Sequence, residues 1–224
     1  MLVACFGIHK SASTFAYRIA TQVARHVFEG DILTGSDVLK INKAFMEENK
    51  NRVLSRDLVM IQKTHSGTNT DLSKYVADGD IRVIASIRDL RDVALSMIDA
   101  GAESRAAGKL NQMAAVHTID DAVVKIKDDV AALNRWSKLS GTLFIPYNEI
   151  RVSPESIIGK VSVSVFNKQL SSEECDKINE SIPRSTIRLN KGVKDRYKSE
   201  MSRDQSEKIL STFPEYYEKF RSLL

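Results

Sequence analysis

The sequence predicts an α/β fold: a single domain with a central, mainly parallel β-sheet flanked by helices. Three observations predict it. Short, wholly apolar runs alternate with stretches whose apolar residues recur every three or four positions, which is the pattern of strands buried on both faces and of helices that cover them. The 224 residues are enough for one substantial core. No internal repeat, low-complexity tract or Pro/Gly-rich linker divides them, so residues 1–224 are expected to form one domain.

Taken in order, residues 2–6 (Leu-Val-Ala-Cys-Phe) are a short buried strand. Ser13 or Thr14 caps the next helix, expected over 14–28, where Phe15, Ile19, Val23 and Val27 share a face. Residues 29–57 are polar and mixed, with a helix expected near 36–50. Leu58-Val59-Met60-Ile61 is the second strand and Ile81 to Ile87 the third, followed by a helix over about 90–100. Residues 101–117 are small, polar and weakly patterned and are expected to form a mobile loop or lid. A long amphipathic helix over 118–140 carries Val123, Ile126, Val130, Leu133 and Trp136 as its core stripe. Leu143 to Tyr147 is the fourth strand, with Pro146 near its end. Pro154 opens a further helix with Ile157, Ile158, Val161 and Val165 inward. A polar helix follows near 171–181. After an Arg/Lys-rich stretch over 184–203, Ser202 and Gln205 form the capping box of the last helix.

Composition narrows the function. The net charge of +4 suits an anionic ligand equally as well as a solvated surface, and no dense basic block with interleaved aromatics points to nucleic acid. Cys5 and Cys175 make neither a disulfide framework nor a metal-ligand spacing. There is no apolar run of the roughly 18 residues that a membrane span requires, and no basic n-region of a signal peptide. A cytoplasmic location in a reducing compartment is the expectation.

Two strand-to-helix junctions carry the chemistry. Phe6-Gly7-Ile8-His9-Lys10-Ser11-Ala12-Ser13-Thr14-Phe15 offers a lysine and several hydroxyls beside the free N–H groups of a helix start, which is how proteins hold a phosphate. Ile87-Arg88-Asp89-Leu90-Arg91-Asp92-Val93-Ala94-Leu95-Ser96 places an arginine and a serine eight residues apart around a second such turn. An anion site at each of two turns suggests a ligand with two separate phosphates. Lys10, Lys63, His65, Arg88 and Tyr147 all fall at predicted strand C-termini, the rim where open α/β sheets bind ligands.

These segments resemble the sulfotransferases that use 3′-phosphoadenosine 5′-phosphosulfate (PAPS). The family's 5′-phosphosulfate loop, Tyr-Pro-Lys-Ser-Gly-Thr-Thr-Trp, is matched by Ile8 to Phe15. Its 3′-phosphate motif, Arg-Asn-x-x-Asp-x-x-x-Ser, is matched by Arg88, Asp92 and Ser96, with Asp89 in the Asn position. Gln62-Lys63-Thr64-His65 looks like its Lys-Thr-His, whose histidine is the catalytic base. The resemblance implies a P-loop NTPase-like sulfotransferase fold, PAPS as donor, PAP as product and no metal. It implies that Lys10 stabilises the departing phosphate, Lys63 neutralises sulfonate oxygens and His65 takes the acceptor's proton, with Ser96 also counted among the catalytic residues. The cofactor contacts would be Lys10, Ser11, Ala12, Ser13, Thr14, Phe15, Arg88, Ser96, Tyr147 and, from a closing loop, Asn190, Lys191 and Gly192. Arg188 would stand in for that loop's missing arginine. Ala12 occupies a family glycine position, at a cost of about 1 kcal/mol if φ is positive there. The short connection between Ser96 and residue 118 suggests an open acceptor site.

A P-loop kinase is the alternative, but a Walker loop needs Gly-x-x-x-x-Gly-Lys-[Ser/Thr], and Gly7 lies only three residues before Lys10. A non-catalytic nucleotide-binding protein of the same fold is the third reading, opposed by the intact Lys10, Lys63 and His65. No residue distinguishes a small-molecule, glycan, lipid or peptide acceptor, or a monomer from a homo-oligomer.

Overall fold

A computed structural model describes residues 1–36, 41, 43–55, 57–68, 71–183 and 193–224. Among these, five strands form one parallel sheet in the order β2-β3-β1-β4-β5: β1 (Leu2–Gly7), β2 (Asp31–Ser36), β3 (Leu58–Thr64), β4 (Ile81–Ile87) and β5 (Leu143–Pro146). Strand β1 is central because it is apolar on both faces. Leu2, Ala4 and Phe6 point into one core, and Val3 and Cys5 into the other.

On the first face lie α5 (Leu90–Ala106), α6 (Ile119–Trp136), α11 (Arg203–Thr212) and α12 (Pro214–Phe220), with Trp136 fully buried against the sheet. On the second lie α1 (Ser13–Val27), α8 (Pro154–Phe166) and α9 (Ser172–Ser181). Shorter helices occupy the connections: α2 (Lys43–Glu48), α3 (Lys50–Val53), α4 (Ser73–Ala77), α7 (Tyr147–Val152) and α10 (Tyr197–Glu200). The expected Ser202–Gln205 capping box opens α11, and Thr118–Asp121 forms another at the start of α6. No described helix is long and apolar enough to cross a membrane.

Five expectations need correction. Neither Ser13 nor Thr14 caps α1: its N-cap is Ala12, and no side chain caps it. Residues 31–36, expected only to be polar and mixed, are a strand: β2 is an edge strand whose Leu33 is 41% exposed, so it lacks the apolar run that marks its neighbours. Residues 101–106 continue α5, and the loop after them is tied down. Arg105 donates to the carbonyls of Ala114 and Val116, and Asn111 donates to Ser104. Tyr147 begins α7 rather than ending a strand. The last helix is α12, because Pro214 stops α11 and supplies the first residue of the next.

Candidate active site

The sheet order puts the C-terminal ends of β3, β1 and β4 side by side, since Thr64 pairs in register with Phe6 and Gly7 with Ser86. The segments leaving those three ends build the site. From β1 the chain turns sharply into α1, with Lys10 (φ 68°) and Ala12 (φ 69°) both in the left-handed region. Ala12 therefore bears the strain that its glycine counterpart would avoid, about 1 kcal/mol. Gly7 is required by space: a Cβ there would overlap Ser86 Oγ and Ser13 Cβ.

The loop's hydroxyls divide. Ser11 is fully buried and donates to the Ile8 carbonyl (2.6 Å) while pairing with Ser86 Oγ (2.7 Å), and its N–H also bonds Ile8. The Ser11 hydroxyl therefore shapes the loop and does not face an anion. Phe15 is likewise a core residue, and its ring packs among Val3, Cys5 and the helices of the second face. The N–H groups of Ser13 and Thr14, in the first turn of α1, are the ones a helix start leaves for a ligand.

From β4, Arg88 reaches back to the first loop, donating from Nη1 to the Lys10 carbonyl (2.9 Å). The two motifs thus touch. The guanidinium stacks on the Tyr147 ring, 3.9 Å from its centroid, and lies 3.8 Å from Asp92. It is only 6% exposed, and its buried Nε has no partner among the described residues. Burial lowers its pKa from the very high ordinary value, with Tyr147 and Asp92 acting the other way. Asp92 does a second job: its carboxylate accepts the N–H groups of Asp195 (2.9 Å) and Tyr197 (3.2 Å), pinning the segment after residue 192 to α5. Asp89, in the position of the family's Asn, caps α5 by accepting the Arg91 N–H and also receives the Tyr217 hydroxyl. Ser96 lies buried two turns along α5. Arg188, Asn190, Lys191 and Gly192 lie outside the described residues.

From β3 come Lys63, buried, and His65. His65 Nδ1–H donates to the Gly7 carbonyl (2.6 Å), which leaves Nε2 with its lone pair. Burial, then the charges of His9 and Lys63, push its pKa down to about 4, so the ring is neutral at physiological pH. His9 stacks on it with ring centroids 3.8 Å apart and planes 17° from parallel. His9 is in turn held by Asp129 of α6, which accepts its backbone N–H (2.8 Å) and bonds Nδ1 (2.8 Å).

Both histidines line a cleft of about 770 Å³. Its other walls are the turn Thr64–Gly67, the α6 residues Lys125, Asp128 and Arg135, and Asn111 to Met113 of the tethered loop. Polar and apolar surface share the lining about equally, with Met113, Ala131 and Ala132 beside the polar side chains. The site can hold an anion at the helix start and bring a hydroxyl to a neutral imidazole. Asp129 escaped the sequence reading, although it sits between Ile126 and Leu133 on the apolar stripe of α6, where a carboxylate needs a partner.

The family model for the sulfotransferase domain matches residues 6–221. Among solved structures, a mouse sulfotransferase complexed with PAP superposes with a TM-score of 0.64 at 16% identity, covering 100% of this chain and 87% of that one. Retinol dehydratase in complex with androsterone and inactive cofactor PAP gives 0.60 at 11% identity, covering 96% and 80%. Retinol dehydratase with retinol and PAP gives 0.59 at 12%, covering 96% and 81%. At such identities these likenesses speak to the fold. No curated protein sequence matches the chain significantly.

Proposed function

Because the chain belongs to the sulfotransferase domain family, we propose that it moves a sulfonate from PAPS to a hydroxyl or amine of an acceptor by in-line transfer, with His65 as general base. The observation that carries this reading is the meeting of three segments on one rim: the Lys10 loop, the Arg88 guanidinium bonded to that loop, and a neutral His65 whose free nitrogen is Nε2. The residues present fit a doubly anionic nucleotide. Arg88 has a buried donor without a partner among the described residues, and the helix start offers N–H groups. The similar structures named above contain PAP, which supports the same donor.

In this mechanism Arg88 grips the 3′-phosphate and the turn into α1 holds the 5′-phosphate. Lys10 and Lys63 offset charge on the bridging and sulfonate oxygens, so the protein works mainly by positioning and electrostatics. The acceptor oxygen bonds sulfur as the bond from sulfur to the 5′-phosphate oxygen breaks. The acceptor's proton goes to His65 Nε2, and PAP departs. The acceptor is read as a polar, hydroxylated molecule, because the cleft beside His65 carries the hydrogen-bonding and charged side chains of Asn111, Gln112, Lys125, Asp128 and Arg135, with Met113 the one large apolar side chain among the described lining residues. The unpaired Cys5 and Cys175 support a reducing, cytoplasmic setting.

Transfer of label from PAPS over a panel of acceptors tests the reading. Sugars and other polyols are expected to accept, and a protein that binds PAP yet sulfonates nothing in the panel overturns the enzymatic reading. Arg88→Ala is expected to weaken PAP binding roughly 10–100-fold. His65→Ala is expected to lower turnover roughly 10²–10⁴-fold with PAP affinity retained.

A further inference from the structure

We propose that His9, clamped by Asp129, is the positioning partner of His65: it fixes the plane of the base's ring and so the direction in which Nε2 presents its lone pair. The proposal rests on the reading of His65 as base and concerns a residue that the motif match does not assign, since the family's loop has proline before the lysine.

The geometry makes the argument. A histidine side chain has two soft torsions, and the single bond from His65 Nδ1 to the Gly7 carbonyl does not fix the tilt of its ring. The His9 face, 3.8 Å away and nearly parallel, does so. His9 is itself immobilised at two points by one carboxylate, at its backbone N–H and at Nδ1. Asp129 is 2% exposed, and its hydrogen bonds among the described residues all come from His9. A carboxylate so far from water needs hydrogen-bond donors, and since His9 supplies them, the clamp holds the His9 ring in one orientation.

A proton on His65 would lie in a ring stacked face to face on His9. The charged groups around His65 are His9 from the loop after β1, Lys63 from β3 and Asp129 from α6, while Lys125, Asp128 and Arg135 of α6 line the same cleft. The first two oppose protonation of His65 and Asp129 favours it, with His9 acting more strongly than Asp129. The outcome is a base that stays available in mildly acidic solution.

The test separates stacking from charge. Nuclear magnetic resonance of ¹⁵N-histidine-labelled protein follows the His65 ring nitrogens through an acid titration, without reference to any acceptor. In His9→Phe, which keeps an aromatic face and loses the ring nitrogens, the His65 midpoint is expected to rise by about one pH unit. Asp129→Asn, which removes a charge that favours the proton, is expected to move it the other way and by less. The acid limb of kcat/KM follows the same order. His9→Ala, which loses the face as well, is expected to lose about tenfold in kcat even in alkaline solution, and His9→Phe to recover most of that loss. A PAP-induced rise in Tm equal to wild type shows that each variant is folded. An unchanged midpoint in His9→Phe, or a wild-type kcat in His9→Ala, overturns the proposal. Failure of the wild-type protein to sulfonate anything overturns the functional reading instead, and the titration still decides this one.

Discussion

One methyl group at position 7 is enough to disturb the site, because the end of β1, Ser86 of β4 and the first residue of α1 meet there with no space for a Cβ. Gly7→Ala is expected to cost about 1–3 kcal/mol in urea unfolding and to shift the Gly7 carbonyl that orients His65. His65 sets a second expectation. Its pKa is lowered from 6.5 to about 4 in the folded protein, so below pH 6.5 the unfolded chain binds the extra proton. The contribution is complete above the unfolded value and is lost as pH falls toward the folded one, in total on the order of 3 kcal/mol. Unfolding midpoints measured between neutral and mildly acidic pH should fall, and His65→Gln should flatten that slope. The places of Lys10, His65 and Arg88 on the rim were legible in the sequence because each follows an apolar strand, and Lys63 lies just inside the end of β3. The roles of Ser11 and Phe15 were not, since a motif does not reveal that a hydroxyl is turned inward onto Ile8 or that a ring lies in the core. Asp129 is 120 residues from His9, and only the packing of α6 against the first loop brings them together.

At the level of elements, legibility follows burial. Strands β1, β3 and β4 are buried almost throughout and announce themselves as apolar runs. Strand β2 lies at the sheet edge, alternates poorly and does not stand out from the polar, mixed stretch over 29–57. The segment after Ser96 misled for another reason: small polar residues imply a loop, yet Gly101 and its neighbours continue α5 because the helix packs closely on the chain near Met113 and Val116. A Cβ at Gly101 would overlap the Val116 carbonyl. Arg105 then fastens that segment by two hydrogen bonds, of 2.8 and 3.0 Å. Since Asn111 to Met113 form one wall of the cleft, the tether sets the cleft's width. Arg105→Met is expected to speed proteolytic cleavage within 107–117 and raise the acceptor KM, while leaving PAP affinity at the wild-type value. A cleavage rate equal to wild type shows that the loop is held by other contacts.

For the whole molecule, the sheet order is what turns scattered residues into one site. Strand β1 lies between β3 and β4, so three loops that are far apart in sequence leave the sheet together, as open α/β sheets arrange at their ligand-binding edge. Arg88 bridges two of them through the Lys10 carbonyl, and Asp92 ties the segment beginning at Asp195 to the same helix. A ligand that engages both anion positions therefore draws β1, α1, β4 and α5 into one cooperative unit, and its binding energy adds to the energy of folding. PAP at about 100 times its Kd is expected to stabilise the protein by about 2.7 kcal/mol. For a chain of this size each kcal/mol is worth about 2–4 °C, so Tm should rise by roughly 5–10 °C. ATP with magnesium lacks a 3′-phosphate to meet Arg88 and should give much less. The contrast should vanish in Arg88→Ala, because that variant keeps the helix-start site and loses the second anion grip. Equal shifts with PAP and ATP in the wild-type protein would mean that Arg88 holds the loops together without reading the nucleotide.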